Sequence, residues 1–356
     1  MLPAGYAPPH ETGPSSARGA PYASASGEFR GHTHSRKGMI PMKKILAAAL
    51  CMMLLMTCAL AEPLRVAALK GPTAMGMVKM MSDDAGSNYA FEICAAADEI
   101  TPKLVQGQLD VAALPANLAA VLYNRTGGAL QVLAVNTLGV LYIAERGDTI
   151  HSVADLAGRT IYSAGKGSTP EYALNYILRQ SGLEPGVDVT IEYKSEHSEC
   201  LAALMNDAGA CAMLPQPFLT TALTKAEDMR MALDLTAEWD ALQDADGSAM
   251  ITGVVVARSD FVAEHPDVVD AFLEDYAASV AYTGTDISGA AALIEAYDIV
   301  TAAVAEAALP QCNIVCITGE EMLKKLSGYL DVLYAQDPES VGGALPDAQF
   351  YYVPEA

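Results

Sequence analysis

The stretch Gly165-Lys166-Gly167-Ser168-Thr169-Pro170-Glu171, which runs on to Leu178, sets glycines, a lysine and two hydroxyls ahead of a helix-like apolar run. Such residues cradle a phosphate when a glycine and four intervening residues precede Gly-Lys-Ser or Gly-Lys-Thr. Here Gly167 follows Gly165-Lys166 where the hydroxyl residue should stand, and the place of the earlier glycine is held by Thr160. The nucleotide motif fails on both counts. What remains is a helix start, with Ser168 or Thr169 as cap, Pro170 as first helical residue and Glu171 in the first turn. Free N–H groups at such a start suit a carboxylate, sulfonate, phosphate or polarised carbonyl.

Catalytic readings find little support. The chain has no Gly-x-Ser-x-Gly nucleophile elbow. After residue 61 its only histidines are His151, His197 and His265, with no metal-ligand spacing and no evident nucleophile partner. No metal, cofactor or catalytic residue is therefore expected. Five cysteines, Cys94, Cys200, Cys211, Cys312 and Cys316, follow that point. Five is odd and the spacing is no disulfide framework. Buried thiols are the expectation, with Cys312 and Cys316 open to bridging or burial.

The elements that would position the loop alternate along the chain. Strand-like segments lie at 64–71, 89–96 and 109–115, with helix-like ones at 73–83, 98–108 and 116–126. The run 130–146 reads as two strands broken near Asn136. A second series follows: strands at 159–165, 188–195 and 210–215, helices at 169–180, 198–209 and 216–226, and a strand from 229. This is the pattern of mostly parallel sheets covered by helices. The two series also resemble each other. DVAALPANLAAVL (110–122) aligns without gaps on ACAMLPQPFLTTA (210–222), and LKGPTAMGMVKMM (69–81) answers GKGSTPEYALNYI (165–177). Two similar α/β lobes are implied. A strong strand at 250–261 and helices at 265–283, 287–297, 300–308 and 319–335 carry no third copy and must pack on an existing lobe.

In open parallel sheets ligands bind at the carboxyl ends of strands, beside helix starts. If the lobes face each other, four loops converge on one cleft. They supply the candidate ligand-binding residues Gly71, Pro72, Thr73, Ala74 and Met75; Pro115, Ala116 and Asn117; Gly167, Ser168 and Thr169; and Pro215, Gln216, Pro217 and Phe218. Asn117 fits either a ligand oxygen or a helix cap. Tyr142 and Trp239 are candidates for stacking on a planar ligand, although Tyr142 also suits an apolar core. Lys70 and Lys166 are candidates to neutralise an anion, and Asp110 to meet an ammonium or merely to begin a strand. Arg125, Arg146 and Arg159 flank the loops.

Size and charge bound the classes open to the chain. The 356 residues are 52% hydrophobic, enough for two medium cores. With 21 basic against 43 acidic residues the chain is no nucleic-acid binder. Residues 1–41 are an extension, rich in Pro, Gly, Ser and Ala up to residue 38, expected to be disordered or untranslated. Residues 42–61, two lysines and a short apolar run, read as a signal peptide. Cleavage after Ala61 would give a free exported protein, while Leu55-Met56-Thr57-Cys58 makes Cys58 a lipidation candidate on the outer face of the cytoplasmic membrane. Residues 1–61 hold 6 basic and 2 acidic residues, which leaves 15 against 41 and a formal charge of −26.

LRVAALKGPTAMG, GQLDVAALPANLAAVLY, SVADLAGRTIYSAGKGSTPEYALNYILRQSGL and VVVARSDFVAEHPDVVDAFLEDY together resemble the substrate-binding proteins of ABC importers, in the nitrate, sulfonate, taurine and thiamine-precursor branch. The resemblance covers about residues 62–335. It implies a two-lobed periplasmic-binding-protein fold of type II, in which each lobe is a mixed, mostly parallel sheet flanked by helices. Lobe one would span 62–150, lobe two 151–249, and 250–356 would return to lobe one. It implies a monomer that captures a small solute between the lobes and hands it to ABC permease subunits. It also places ligand contacts at the four loops named above. The alternatives are an enzyme on the same fold, of pyrimidine-precursor or menaquinone-pathway type, and a sensor that presents its ligand to a kinase.

Overall fold

The computed structural model describes residues 62–84, 86–207, 209–243 and 248–354. The extension, the signal-like run at 42–61 and Cys58 lie outside the described residues. From residue 62 the order is β1 (Leu64–Leu69), α1 (Pro72–Met75), α2 (Val78–Asp84), β2 (Tyr89–Cys94), α3 (Ala97–Val105), β3 (Val111–Pro115), α4 (Ala116–Thr126) and β4 (Leu130–Leu138). Next come β5 (Leu141–Arg146), β6 (Thr160–Ser163), α5 (Thr169–Gln180), β7 (Thr190–Tyr193), α6 (His197–Asn206), β8 (Cys211–Pro215), α7 (Phe218–Leu223), β9 (Met229–Asp234) and α8 (Leu235–Ala241). The chain ends with β10 (Ile251–Arg258), α9 (Ser259–Glu264), α10 (Pro266–Thr285), α11 (Ile287–Ala296), α12 (Ala302–Ala308), β11 (Ile314–Ile317) and α13 (Gly319–Gln336).

These strands form two sheets of matching design. The first has the order β2-β1-β3-β10-β4-β11 and the second β7-β6-β8-β5-β9. In each, three parallel strands are followed by one antiparallel strand, β10 or β5. The internal repeat in the sequence is thus a repeat in topology. Leu114-Pro115 ends β3 opposite Gly253 and Val254 of β10, and Leu214-Pro215 ends β8 opposite Leu141 and Tyr142 of β5.

Alternation along the strands explains the near-continuous apolar runs. Val111 and Ala113 face one core while Ala112 and Leu114 face another. In the second sheet Cys211 and Met213 face one side and Ala212 and Leu214 the other. A sheet buried on both faces has no polar stripe to display. The carboxyl-terminal aromatics belong to this packing: Phe350 is fully buried and Tyr351 bridges Val132 of β4.

Two expectations are revised and one element is added. The break in 130–146 falls at Gly139-Val140, and β5 belongs to the second sheet, so the chain changes sheets ahead of residue 150. Gly139 is needed there, because a Cβ would sit 2.1 Å from Met250 Cε and 2.2 Å from Thr236 Oγ1. The first crossing therefore packs directly on the second. The helix expected at 73–83 is two short helices, and Gly76 between them abuts Ile314 and Tyr276 with no room for a side chain. Strand β11, four residues beside the left-handed Asn313, is an element that the expectations did not include.

Asp110 stands just ahead of β3, at the amino end of the strand. Its side chain is 8% exposed and takes hydrogen bonds from Arg65 Nε at 2.8 Å, Arg65 Nη2 at 2.5 Å and Arg258 Nη1 at 3.2 Å, which tie β1, β3 and β10 together. Burial opposes its ionisation, but the Arg65 hydrogen bonds and the two guanidinium charges outweigh it and hold the carboxyl below its ordinary value. Its contribution is present above the ordinary carboxyl value and lost as pH falls through the lower folded one. Asp110→Ala should lower unfolding free energy by about 2 kcal/mol at pH 7 in urea titrations. The gap from the parent protein should close toward pH 2; a gap that stays constant with pH would show that the carboxylate is not the source.

Candidate functional site

A cavity of about 340 Å³ lies between the two sheets and draws its wall from both. Larger cavities, of about 600 and 760 Å³, are lined by elements of the first sheet's lobe alone, along α2 and α10 and beside Arg65 and Arg258. The cavity between the sheets sits at the carboxyl ends of β1, β3 and β8, where helix starts point.

The first jaw is built by the β1–α1 turn and the β3–α4 junction. Gly71 has φ 127°, a conformation closed to side-chain-bearing residues, and lets Pro72 and Thr73 reach the wall. The Thr73 hydroxyl donates back to Leu69 O at 2.7 Å. Pro115 and Asn117 follow β3 into the cavity. The second jaw holds Ser168, Thr169 and Pro170 at the start of α5, and Pro215, Gln216, Pro217 and Phe218 after β8. Gly165 and Gly167, with φ 79° and 74°, shape the turn before α5.

The jaws touch: Thr169 Oγ1 donates to Asn117 Oδ1 at 3.2 Å across the cleft, while Asn117 Nδ2 donates to Ser340 O at 3.4 Å. Gln216 is fully engaged, donating from Nε2 to Gln311 Oε1 at 2.5 Å and accepting from the Thr220 hydroxyl at 2.9 Å. The cap expected from Ser168 is not made by its side chain, which donates to Gly165 O at 2.6 Å; Glu171 instead takes the Gly167 N–H at 2.5 Å.

Six candidate residues are not on the wall. Ala74, Met75 and Ala116 are fully buried behind it, in the packing of α1 and α4. Gly167 is exposed beside it. Tyr142 is 1% exposed and its hydroxyl donates to Gln311 O at 2.7 Å, so it is a core residue that ties the lobes. Trp239 is fully buried, 4.5 Å from the Tyr176 ring and 5.5 Å from the Tyr329 ring, with Nε1 3.2 Å from Ser248 Oγ. It seals the junction of α5, α8 and α13 and meets no cavity.

The candidate cations are also accounted for. Arg146 pairs with Asp228, and Arg159 donates to Thr149 Oγ1. Both lie at the ends of β5 and β6 opposite to the cavity. Arg125, in the last turn of α4, is likewise at the far end. Lys166 sits over the Tyr193 ring, off the wall. Lys70 is on the wall, with its ammonium 3.6 Å from Asp298.

Sequence reasoning missed Thr137, Val140, Leu141, Pro170, Thr252 and the site role of His197. Thr137 and Thr252 come from β4 and β10, the strands beside the crossings, and nothing in an apolar strand run marks one threonine as cavity floor. His197 opens α6, with its ring 5.3 Å from that of Phe218. Burial pushes its imidazole below the ordinary value, toward the neutral form at pH 7. Among the described residues no cluster of His, Cys, Asp or Glu could hold a metal ion, and no helix is long and apolar enough to cross a membrane.

Two matching α/β lobes, crossed twice by the chain and closed over one cavity at their strand ends, define a two-lobed binding-protein fold. Residues 75–302 match the sequence model described as ABC transporter, phosphonate, periplasmic substrate-binding protein, and the chain belongs to this family. Among solved structures it is similar to an ABC transporter protein from Parabacteroides distasonis (TM-score 0.70, 23% identity, 83% of this chain and 99% of that one). It is also similar to the periplasmic aliphatic sulphonate binding protein SsuA from Escherichia coli (TM-score 0.66, 19% identity, 83% and 93%). A third is the alkanesulfonate-binding protein SsuA from Xanthomonas axonopodis pv. citri (TM-score 0.59, 17% identity, 83% and 97%). No curated protein sequence gives a significant match. The protein is thus the periplasmic substrate-binding component of an ABC import system, which implies export, a small solute and permease subunits as partners.

The burial of Trp239 yields a direct check. Acrylamide should quench its fluorescence poorly, and Trp239→Ala should cost about 3–5 kcal/mol of stability. Efficient quenching, or a stable Trp239→Ala with altered solute binding only, would return this residue to the cleft.

Proposed function

We propose that the cavity between the sheets is the solute site, and that the protein captures its solute by closing two lobes about the paired crossings and releases it chemically unchanged. One observation carries this reading: loops from four strand ends and two lobes meet at a single cavity, where Thr169 already bridges to Asn117. Solute in the cleft would favour the closed arrangement by touching both jaws at once, which an open form cannot offer. The start of α5, with Ser168 and Thr169, supplies donors for a polar head. The wall also bears on catalysis. Its one histidine packs on Phe218, and the Ser168 hydroxyl is turned to Gly165 O rather than to that imidazole.

The protein acts as a monomer in this reading, exported through the signal-like run at 42–61, with Cys58 as the alternative lipid-anchoring point. Native mass spectrometry of protein from its own host tests the site. A solute should be carried at one per chain, and Asn117→Ala or Thr169→Val should reduce its occupancy at least tenfold with little change in fold. Undiminished occupancy in both variants, or conversion of the carried solute to a product, would contradict the reading.

A further inference from the structure

The cavity wall has an unusual balance of charge for a chain matched to a phosphonate-binding model. Among its described residues there is no arginine, aspartate or glutamate. Its one lysine, Lys70, faces Asp298, and its one histidine, His197, is driven toward neutrality by burial. The starts of α4 and α5 add at most about half a positive charge each. A phosphonate, with between one and two negative charges at neutral pH, would be desolvated here without an adequate counter-charge.

The wall does carry neutral hydrogen-bonding groups that lack partners. Thr137 is fully buried, yet its hydroxyl meets no partner; the Thr252 hydroxyl on the neighbouring strand and Nδ1 of His197 are in the same condition. Thr137 and Thr252 come from the adjoining strands β4 and β10, and both line the cavity. Buried polar atoms are rarely left unpaired, and groups of this kind facing a cavity are matched by what fills it. Against them lie flat apolar surfaces: the Phe218 ring, Pro215 and Leu141.

We propose that the cavity is built for an uncharged, planar solute with hydrogen-bonding edges, a heterocycle or an aromatic carboxamide, held by Thr137, Thr252 and His197 and stacked beside Phe218. This rests on the reading of the cavity as the solute site. The site discriminates against phosphonates and sulfonates because it offers hydrogen bonds without compensating charge.

The test uses the full chain, stripped of solute by unfolding and refolding, in thermal-shift and calorimetric titrations with pairs of one shape and different charge. The probes are nicotinamide against nicotinate and benzenesulfonamide against benzenesulfonate, with methylphosphonate and ethanesulfonate alongside. The uncharged member of a pair should bind at least tenfold more tightly than its anion. Thr137→Val, nearly isosteric, and His197→Phe should each weaken that binding at least fivefold. Tighter binding of either anion, of methylphosphonate or of ethanesulfonate would overturn the assignment. If Asn117→Ala abolishes binding of the uncharged probe while Thr137→Val and His197→Phe leave it unchanged, the cleft stands as the solute site and the proposed head-group contacts fall. Binding indifferent to all three substitutions places the probe elsewhere and removes both readings.

Discussion

Each sheet is completed by a strand that chain order assigns to the other lobe. β5 follows β4 after two residues yet lies between β8 and β9, and β10 lies between β3 and β4 although it follows the second lobe. This exchange fixes almost everything else. It ties the lobes by two covalent crossings that touch at Gly139 and Met250. It also sets the first residues of each exchanged strand against the Leu-Pro end of the third parallel strand, so both jaws open onto the same seam. A cavity at that seam follows from the connectivity, and side chains only decide what it accepts.

Much of this was legible because the physics is local. Gly71, Pro72 and Thr73, and the run from Gly165 to Glu171, are helix starts after strands, and their turn chemistry shows in the residues themselves. The paired Leu-Pro motifs exposed the repeat. What stayed hidden depends on long-range pairing. Thr137 and Thr252 are floor residues only because β4 and β10 adjoin. The membership of β5 in the second sheet depends on its register with β8 and β9, which apolar strands do not announce. Trp239 misled for a related reason: a lone tryptophan after a strand looks like a platform, whereas here α13 returns from the far end of the chain to cover it with Tyr329.

The distribution of charge separates structure from selection. The strong pairs lie away from the seam: Asp110 with Arg65 and Arg258 at the opposite end of the first sheet, Glu145 with Arg230 and Arg146 with Asp228 at the opposite end of the second. Such pairs brace strand ends without reaching the cavity. At the cavity the lobes meet through neutral groups, Thr169 with Asn117, Tyr142 with Gln311 and Gln216 with Gln311, while Tyr172 of α5 donates to the Asp337 carboxylate beyond α13. Neutral contacts can part and reform between open and closed arrangements without stranding a buried charge.

Hydrogen–deuterium exchange with and without the solute carried from the host measures the central claim most directly. The account predicts slowed exchange in segments from both lobes together, 69–73, 115–117, 137–141, 168–173 and 214–220. Protection confined to one lobe, for example along the outer cavity between α2 and α10, would contradict it.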